Sequence, residues 1–270
     1  MINNLAVILR GHSRSWPVIY KKAFEFYESL AFNVDYYFVT YKIDDYDYGH
    51  IKDTFKDKNL IKFLLVPTEN RVGNTKTIYN SWFGPAYLVY RLLPYMRERV
   101  KNIKYDMIID TRPDILCRRI KNLTPLLPLP NTLHTTMLEV HKRSDNGETE
   151  LAIADHFFTY DFETCQKLAD RHIALCPAGN QIQHRMYLEE QNIDLNIIDW
   201  VEAYITRPNV DKLIDENIQE RMGECYQLFA EWMDYSSEEK IAYCKKYNIA
   251  INDYVDTDTY HSQIYKYNQP

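Results

Sequence analysis

Residues Tyr105–Leu116 read YDMIIDTRPDIL. The apolar run Met107-Ile108-Ile109 has the continuous hydrophobicity of a strand buried on both faces. It delivers two carboxylates, Asp110 and Asp114, with Arg112 between them. Pro113 removes a backbone donor and biases Arg112 towards an extended shape. The chain therefore leaves a buried strand and at once presents an acid, a cation and a second acid. Carboxylates at the exit of a parallel strand are placed for work on a charged ligand or a hard metal ion. The same letters also fit a strand followed by a polar turn closed by an internal salt bridge.

The elements on either side decide what kind of sheet this strand joins. Leu5–Leu9 is another apolar run, ending in Arg10, Gly11, His12, Ser13 and Arg14. Ile19, Ala23, Phe24, Tyr27 and Leu30 then recur at helical spacing within Pro17–Ala31. Val34–Thr40 and Ile61–Val66 read as strands, separated by a polar stretch that suits a loop with a short helix. A polar loop over Thr68–Thr75 leads into a helical region, about Ile78–Val100. Pro85 and Pro94 each delete a helical donor there, so a kink or break is expected. The first half thus alternates strands and helices, the pattern of an α/β fold with a mainly parallel sheet.

The second half is more mixed. Leu116–Ile120 reads as a short strand, Leu123–Pro130 as a proline-rich connector, and Thr132–Met137 as a strand. Glu139–Glu150 reads as a flexible polar loop and Ala152–Tyr160 as one strand. Helices are expected at Phe162–Leu175 and Asn180–Gln191, and strands at Ile193–Trp200 and Val201–Thr206. The region from Val210 to Asn248 reads as an amphipathic helical appendage, so the division falls at 1–208 and 209–270.

Composition narrows the function classes. The 270 residues have 46% hydrophobic content and a net charge of -6. That suits one sizeable globular core and argues against a general nucleic-acid binder. Only 7 glycines occur, roughly a third of the usual frequency, and no two are spaced as in G-x-G-x-x-G or a P-loop. A typical dinucleotide site and a P-loop are therefore disfavoured. The 23 tyrosines are far too many for one sugar site. The 5 cysteines form no C-x-x-C pair, which suits reduced thiols and a cytoplasmic location. No apolar stretch is long enough to be a transmembrane segment, and the amino terminus lacks the features of a signal peptide.

Four constellations could carry chemistry. In Asp110–Asp114, the two acids could hold Mn2+ or Mg2+, and Arg112 could contact phosphate. In Arg10–Arg14, two cations suit a diphosphate and Gly11 allows close backbone approach. In Asp155–Phe158, Asp155 and His156 could supply a general base or orient an acceptor hydroxyl, or serve as structural core groups. In Asn180–Glu190, His184 is a minor candidate for a metal ligand, while Glu189 and Glu190 fit a solvated helix face better than a site. Serine hydrolase, zinc protease and EF-hand signatures do not occur.

The AVILRGHSRSW opening, Ala6–Trp16, together with YDMIIDTRPDIL, resembles small viral and bacterial GT-A-type glycosyltransferases. Those proteins open with a strand and a G-x-x-R loop, here Gly11–Arg14. They later carry an R-x-D element, here Arg112–Asp114, where other GT-A enzymes keep D-x-D. A D-H-F-like segment and a helix with E and L positions follow, similar to Asp155–Phe158 and Tyr187–Glu190. The resemblance spans about Leu5–Asn192. It implies a GT-A-like catalytic domain, a nucleotide-sugar donor and a glycan or other hydroxyl acceptor.

The donor would be bound by Arg10, Gly11, His12, Arg14, Thr40 and Arg71, with its diphosphate near Asp110, Arg112 and Asp114. The acceptor would enter near His156, with Asp155 as the base of an inverting reaction. Arg112 stands midway between the two acids, so the pattern admits either an enzyme using Mn2+ or Mg2+ at Asp110 and Asp114 or a metal-independent one. A non-catalytic nucleotide- or glycan-binding protein on the same scaffold is the main alternative. A nucleotidyltransferase, which also uses strand-end carboxylates with metal, is a third reading, though of the glycine-rich phosphate loop it would want only Gly11 is present.

Overall fold

The computed structural model describes residues 2–11, 16–42, 48–67, 83–120, 123–136, 138–142, 149–153, 156–170 and 187–205. The strand β1 (Ile2–Arg10) leads to α1 (Trp16–Leu30), β2 (Ala31–Tyr41), α2 (Gly49–Asp53) and β3 (Leu60–Val66). Helix α3 (Phe83–Arg99) precedes β4 (Met107–Thr111) and β5 (Ile115–Arg119). Strands β6 (Thr132–Thr135), β7 (Leu138–Lys142), β8 (Thr149–Ile153) and β9 (Phe157–Tyr160) follow, then α4 (Phe162–Asp170), β10 (Asp194–Ile197) and β11 (Val201–Ile205). The helical appendage expected over 209–270 lies outside the described residues.

The main sheet has seven strands in the order β10-β6-β9-β4-β1-β2-β3. Strand β1 pairs in parallel with both β2 and β4, and β2 with β3. Strand β9 runs antiparallel to β4 and β6, and β10 returns parallel to β6. The sheet is mixed and mainly parallel, as the alternating pattern of the sequence predicts.

Side-chain alternation splits the core into two layers. On one face, α1 buries Trp16, Ile19, Ala23, Tyr27 and Leu30, residues recurring at helical spacing. Trp16 stacks on Phe55 at 5.4 Å between centroids, and Phe24 meets Tyr36 edge-on at 5.0 Å. The indole N–H of Trp16 donates to Thr54 Oγ1 at 2.9 Å, so its one polar group is satisfied. On the opposite face, Ala6, Ile8, Tyr37, Val39 and Ile108 pack with Val89, Leu92, Leu93 and Met96 of α3. Burial also accounts for Tyr27, Tyr36, Tyr37, Tyr41, Tyr105 and Tyr160, so much of the aromatic excess is core.

Three expectations change. Pro94 lies inside α3, which continues to Arg99. Pro85 sits in the first turn of that helix, where its missing donor has no helical partner to lose. The ends of the expected loop over Glu139–Glu150 belong to β7 and β8, an antiparallel pair with Leu138 opposite Ile153, while 143–148 lie outside the described residues. Leu138 and Val140 alternate with Glu139 and His141, a period-two signal too short to stand out beside the polar residues that follow it. The single strand expected over Ala152–Tyr160 is two strands in different sheets, because β8 pairs with β7 and β9 with β4.

Candidate functional site

The order of strands reverses at β1: β2 and β3 lie on one side of it and β4 on the other. In open α/β sheets the crevice outside the carboxyl ends of the strands at such a reversal is where ligands bind. Here that position is flanked by Arg10 and Gly11 at the end of β1 and by Asp110 and Thr111 at the end of β4.

Gly11 turns the chain away from β1 with φ at +105°, a conformation L side chains rarely adopt. Its N–H still donates to Val39 O at 3.0 Å, which sets it beside Thr40 on β2. A Cβ at Gly11 would meet nothing within 4 Å. Glycine is needed there for its backbone, not for space. Thr40 is buried, and its hydroxyl donates to Tyr41 O at a long 3.4 Å.

Beyond β4 the chain makes a tight turn in which Ile115 N donates to Arg112 O at 3.1 Å, with Pro113 in the first central position that suits its fixed φ. The guanidinium of Arg112 forks onto Asp114, Nε to Oδ1 at 2.8 Å and an Nη to Oδ2 at 2.6 Å. The Arg112 side chain is 15% exposed and that of Asp114 3%. The two residues thus form one bidentate acid–cation unit just beyond the carboxyl end of β4, with Arg112 its more exposed member.

Asp110 takes different partners. Its Oδ1 stands 2.5 Å from Arg10 Nε, an ion pair more than an aligned hydrogen bond. Its Oδ2 accepts from Tyr160 Oη at 2.7 Å. The Arg10 guanidinium carbon also lies 5.6 Å from the Phe158 ring centroid. A small cleft here is walled by Ala86 and Val89 of α3 and by Leu168 and Ala169 of α4. Burial, and then the negative charge of Asp110, push the Tyr160 phenol well above its ordinary pKa, so it remains a donor. Burial likewise pushes the Cys165 thiol up.

Because β9 runs against β4, its start lies at the carboxyl end of β4, with Phe157 opposite Thr111. That brings His156 to the same end of the sheet, where its carbonyl accepts from Thr111 Oγ1 at 2.7 Å. The His156 side chain is itself buried.

Of the residues singled out in the sequence, Arg10, Gly11, Thr40, Asp110, Arg112, Asp114 and His156 gather at these strand ends. His12, Arg14, Arg71, Asp155 and His184 lie outside the described residues. Glu189 and Glu190 are exposed, as a solvated helix face requires. Tyr160 was not singled out, since its link to Asp110 depends on the antiparallel pairing of β9. A Mn2+ or Mg2+ ion does not fit the described residues. Each of the two acids carries a guanidinium partner, and no group of three or more His, Cys, Asp or Glu among the described residues is placed to hold a metal.

No family model matches the chain, and no curated protein matches its sequence. Among solved structures it is similar to the galactosyltransferase LgtC in complex with donor and acceptor sugar analogues, at 9% identity, 73% coverage of each chain and a TM-score of 0.40. It is also similar to the inositol-1-phosphate CTP transferase from T. maritima, at 9% identity, with 85% of this chain and 96% of that one covered and a TM-score of 0.39. A third is the PaToxG glycosyltransferase, at 12% identity, with 88% and 83% covered and a TM-score of 0.32. No helix among the described residues is long and apolar enough to cross a membrane.

Proposed function

We propose that this chain transfers a monosaccharide from a nucleotide-sugar donor to a glycan or other hydroxyl acceptor. The observation that carries the reading is the gathering of Gly11, Thr40, Arg112 and Asp114 at the carboxyl ends of parallel strands, at the reversal point of the sheet. The resemblance of Ala6–Trp16 and Tyr105–Leu116 to GT-A-type sequences points to the same class.

In this reading the donor lies along the ends of β1, β2 and β4. The backbone after Arg10 approaches the nucleotide at Gly11 and His12, with Thr40 beside it. Arg14 and Arg71 add positive charge for the diphosphate. Arg112 offers a planar fork to a phosphate or donor-sugar oxygen, and its bond to Asp114 holds that fork in place. The acceptor approaches from the side of His156, and Asp155 takes the proton of its hydroxyl if the reaction inverts the sugar. Cationic side chains can neutralise a leaving diphosphate, so the reading does not require Mn2+ or Mg2+.

The test is incubation with a panel of UDP-, GDP- and TDP-sugars, with Mn2+ or with EDTA, followed by measurement of released nucleotide. Slow release with one donor is expected even without acceptor, and it should survive EDTA. No release and no thermal shift with any nucleotide would sink the proposal. A thermal shift without release under any condition would favour a binding protein on the same scaffold.

A further inference from the structure

We infer that Asp110 is not a ligand for a divalent ion but the anchor of a buried Arg10–Asp110–Tyr160 triad, so that the ligand-facing charge of DTRPD is Arg112, held by Asp114. The inference deepens the proposed function and rests on it for the nature of the ligand.

Three observations carry it. The first is direction. Ala6, Ile8 and Arg10 alternate onto one face of β1, and Ala6 and Ile8 belong to the core beneath α3 and α4. Ile108 and Asp110 on β4, and Phe158 and Tyr160 on β9, share that face. Arg10, Asp110 and Tyr160 are 1%, 4% and 1% exposed. The triad therefore lies under the sheet, where it lines a small cleft together with Ala86, Val89, Leu168 and Ala169.

The second is commitment of the carboxylate. One oxygen is held at 2.5 Å by a guanidinium and the other accepts a phenolic proton at 2.7 Å. Mg2+ and Mn2+ need unprotonated oxygens with open lone pairs and room for coordinated water. An ion at Asp110 would displace Arg10 or Tyr160, and would set a double positive charge beside a buried guanidinium.

The third is adjacency. The triad ties β1, β4 and β9, three neighbouring strands whose ends flank the crevice. It fixes the residue just before Gly11 and the residue two before Arg112. Asp110 and Tyr160 are thus positioning residues, acting on the ligand through the turns they hold.

The test is titration of the full chain with Mn2+, with and without UDP or GDP, followed by loss of the free-ion EPR signal. Wild type, Asp110→Asn, Asp114→Asn and Tyr160→Phe are compared. Asp110→Asn and Tyr160→Phe should leave the Mn2+ isotherm within about two-fold of wild type, including the case in which none of them binds. Binding by wild type that weakens ten-fold or more in a folded Asp110→Asn variant would overturn the inference. Should Asp110→Asn fail to fold, the apolar pair Arg10→Met with Asp110→Leu takes its place, with the same two outcomes. These isotherms use the metal alone as well as with nucleotide. A failure of the inference therefore reads separately from a failure of nucleotide-sugar turnover.

Discussion

Arg10 Nε stands 2.5 Å from Asp110 Oδ1 across the β1–β4 pair, with side chains only 1% and 6% exposed. Removing one member of a buried ion pair leaves an uncompensated charge, whereas replacing both with apolar groups is often neutral. Asp110→Ala should therefore cost about 3–5 kcal/mol of stability. Arg10→Met combined with Asp110→Leu should lie much closer to wild type. Urea unfolding of the single and double variants checks this; equal losses in both would remove the coupling.

Gly11 should resist substitution for a backbone reason. Its φ of +105° strains any L side chain, although a Cβ would have open space. Gly11→Ala should cost about 1–3 kcal/mol. An unchanged urea midpoint in that variant would refute the strain argument.

The fork of Arg112 on Asp114 should matter to turnover more than to folding. The Asp114 side chain is only 3% exposed, so Arg112→Ala is combined with Asp114→Asn to remove both charges of the pair. That double variant should remain folded while kcat/KM for the donor falls about ten-fold or more, about 1.4 kcal/mol of transition-state stabilisation. Arg112→Lys should recover little, because an ammonium cannot form the two parallel bonds. Full activity in the double variant would make the turn purely structural.

His134 predicts an acid-sensitive fold. Its Nε2 accepts from Leu129 N at 3.2 Å, and its Nδ1 lies 3.3 Å from Asn196 Nδ2. Burial lowers its pKa below the ordinary 6.5. Between the lowered value and 6.5 the unfolded chain binds the proton more readily than the folded one. The contribution of His134 is therefore whole above pH 6.5 and falls as pH drops through 6.5 towards the folded value. Urea midpoints between pH 7 and pH 5 should show a decline that His134→Gln flattens. An equally steep decline in that variant would assign the acid sensitivity elsewhere.

Asp35 predicts the opposite separation to Arg112, with stability lost and chemistry kept. It accepts from Arg99 Nε at 2.7 Å and Tyr105 Oη at 2.7 Å, towards the amino-terminal ends of the strands. The bond to Asp35 holds Arg99 above its ordinary pKa. Asp35→Ala should cost about 2–4 kcal/mol, discounted because Arg99 is one-third exposed, with little change in donor KM. A raised KM at unchanged stability would contradict this placement.

Much of the architecture was legible in the letters. The continuous runs at Leu5–Leu9 and Met107–Ile109 are strands β1 and β4 because a strand covered on both faces needs no polar alternation. The helical spacing of Ile19, Ala23, Tyr27 and Leu30 is the buried stripe of α1. Alternation of strand and helix in the first half implied the parallel order, and with it the end of the sheet where Gly11, Thr40 and Arg112 meet.

The second half was less legible, because antiparallel pairing is a contact between distant segments. Nothing local in AIADHFFTY says that the chain changes sheets between Ile153 and Phe157, or that Tyr160 meets Asp110 across 50 positions. By itself, the sequence determined the strands, the α1 stripe and the cluster of acids and arginines near their ends, since these follow from local periodicity and chain order. Only the tertiary structure decided which arginine each acid takes. The two-residue period of a strand sends Asp110 beneath α3 and α4 to Arg10 and Tyr160, while the turn at Pro113 releases Asp114 from that period and leaves it with Arg112.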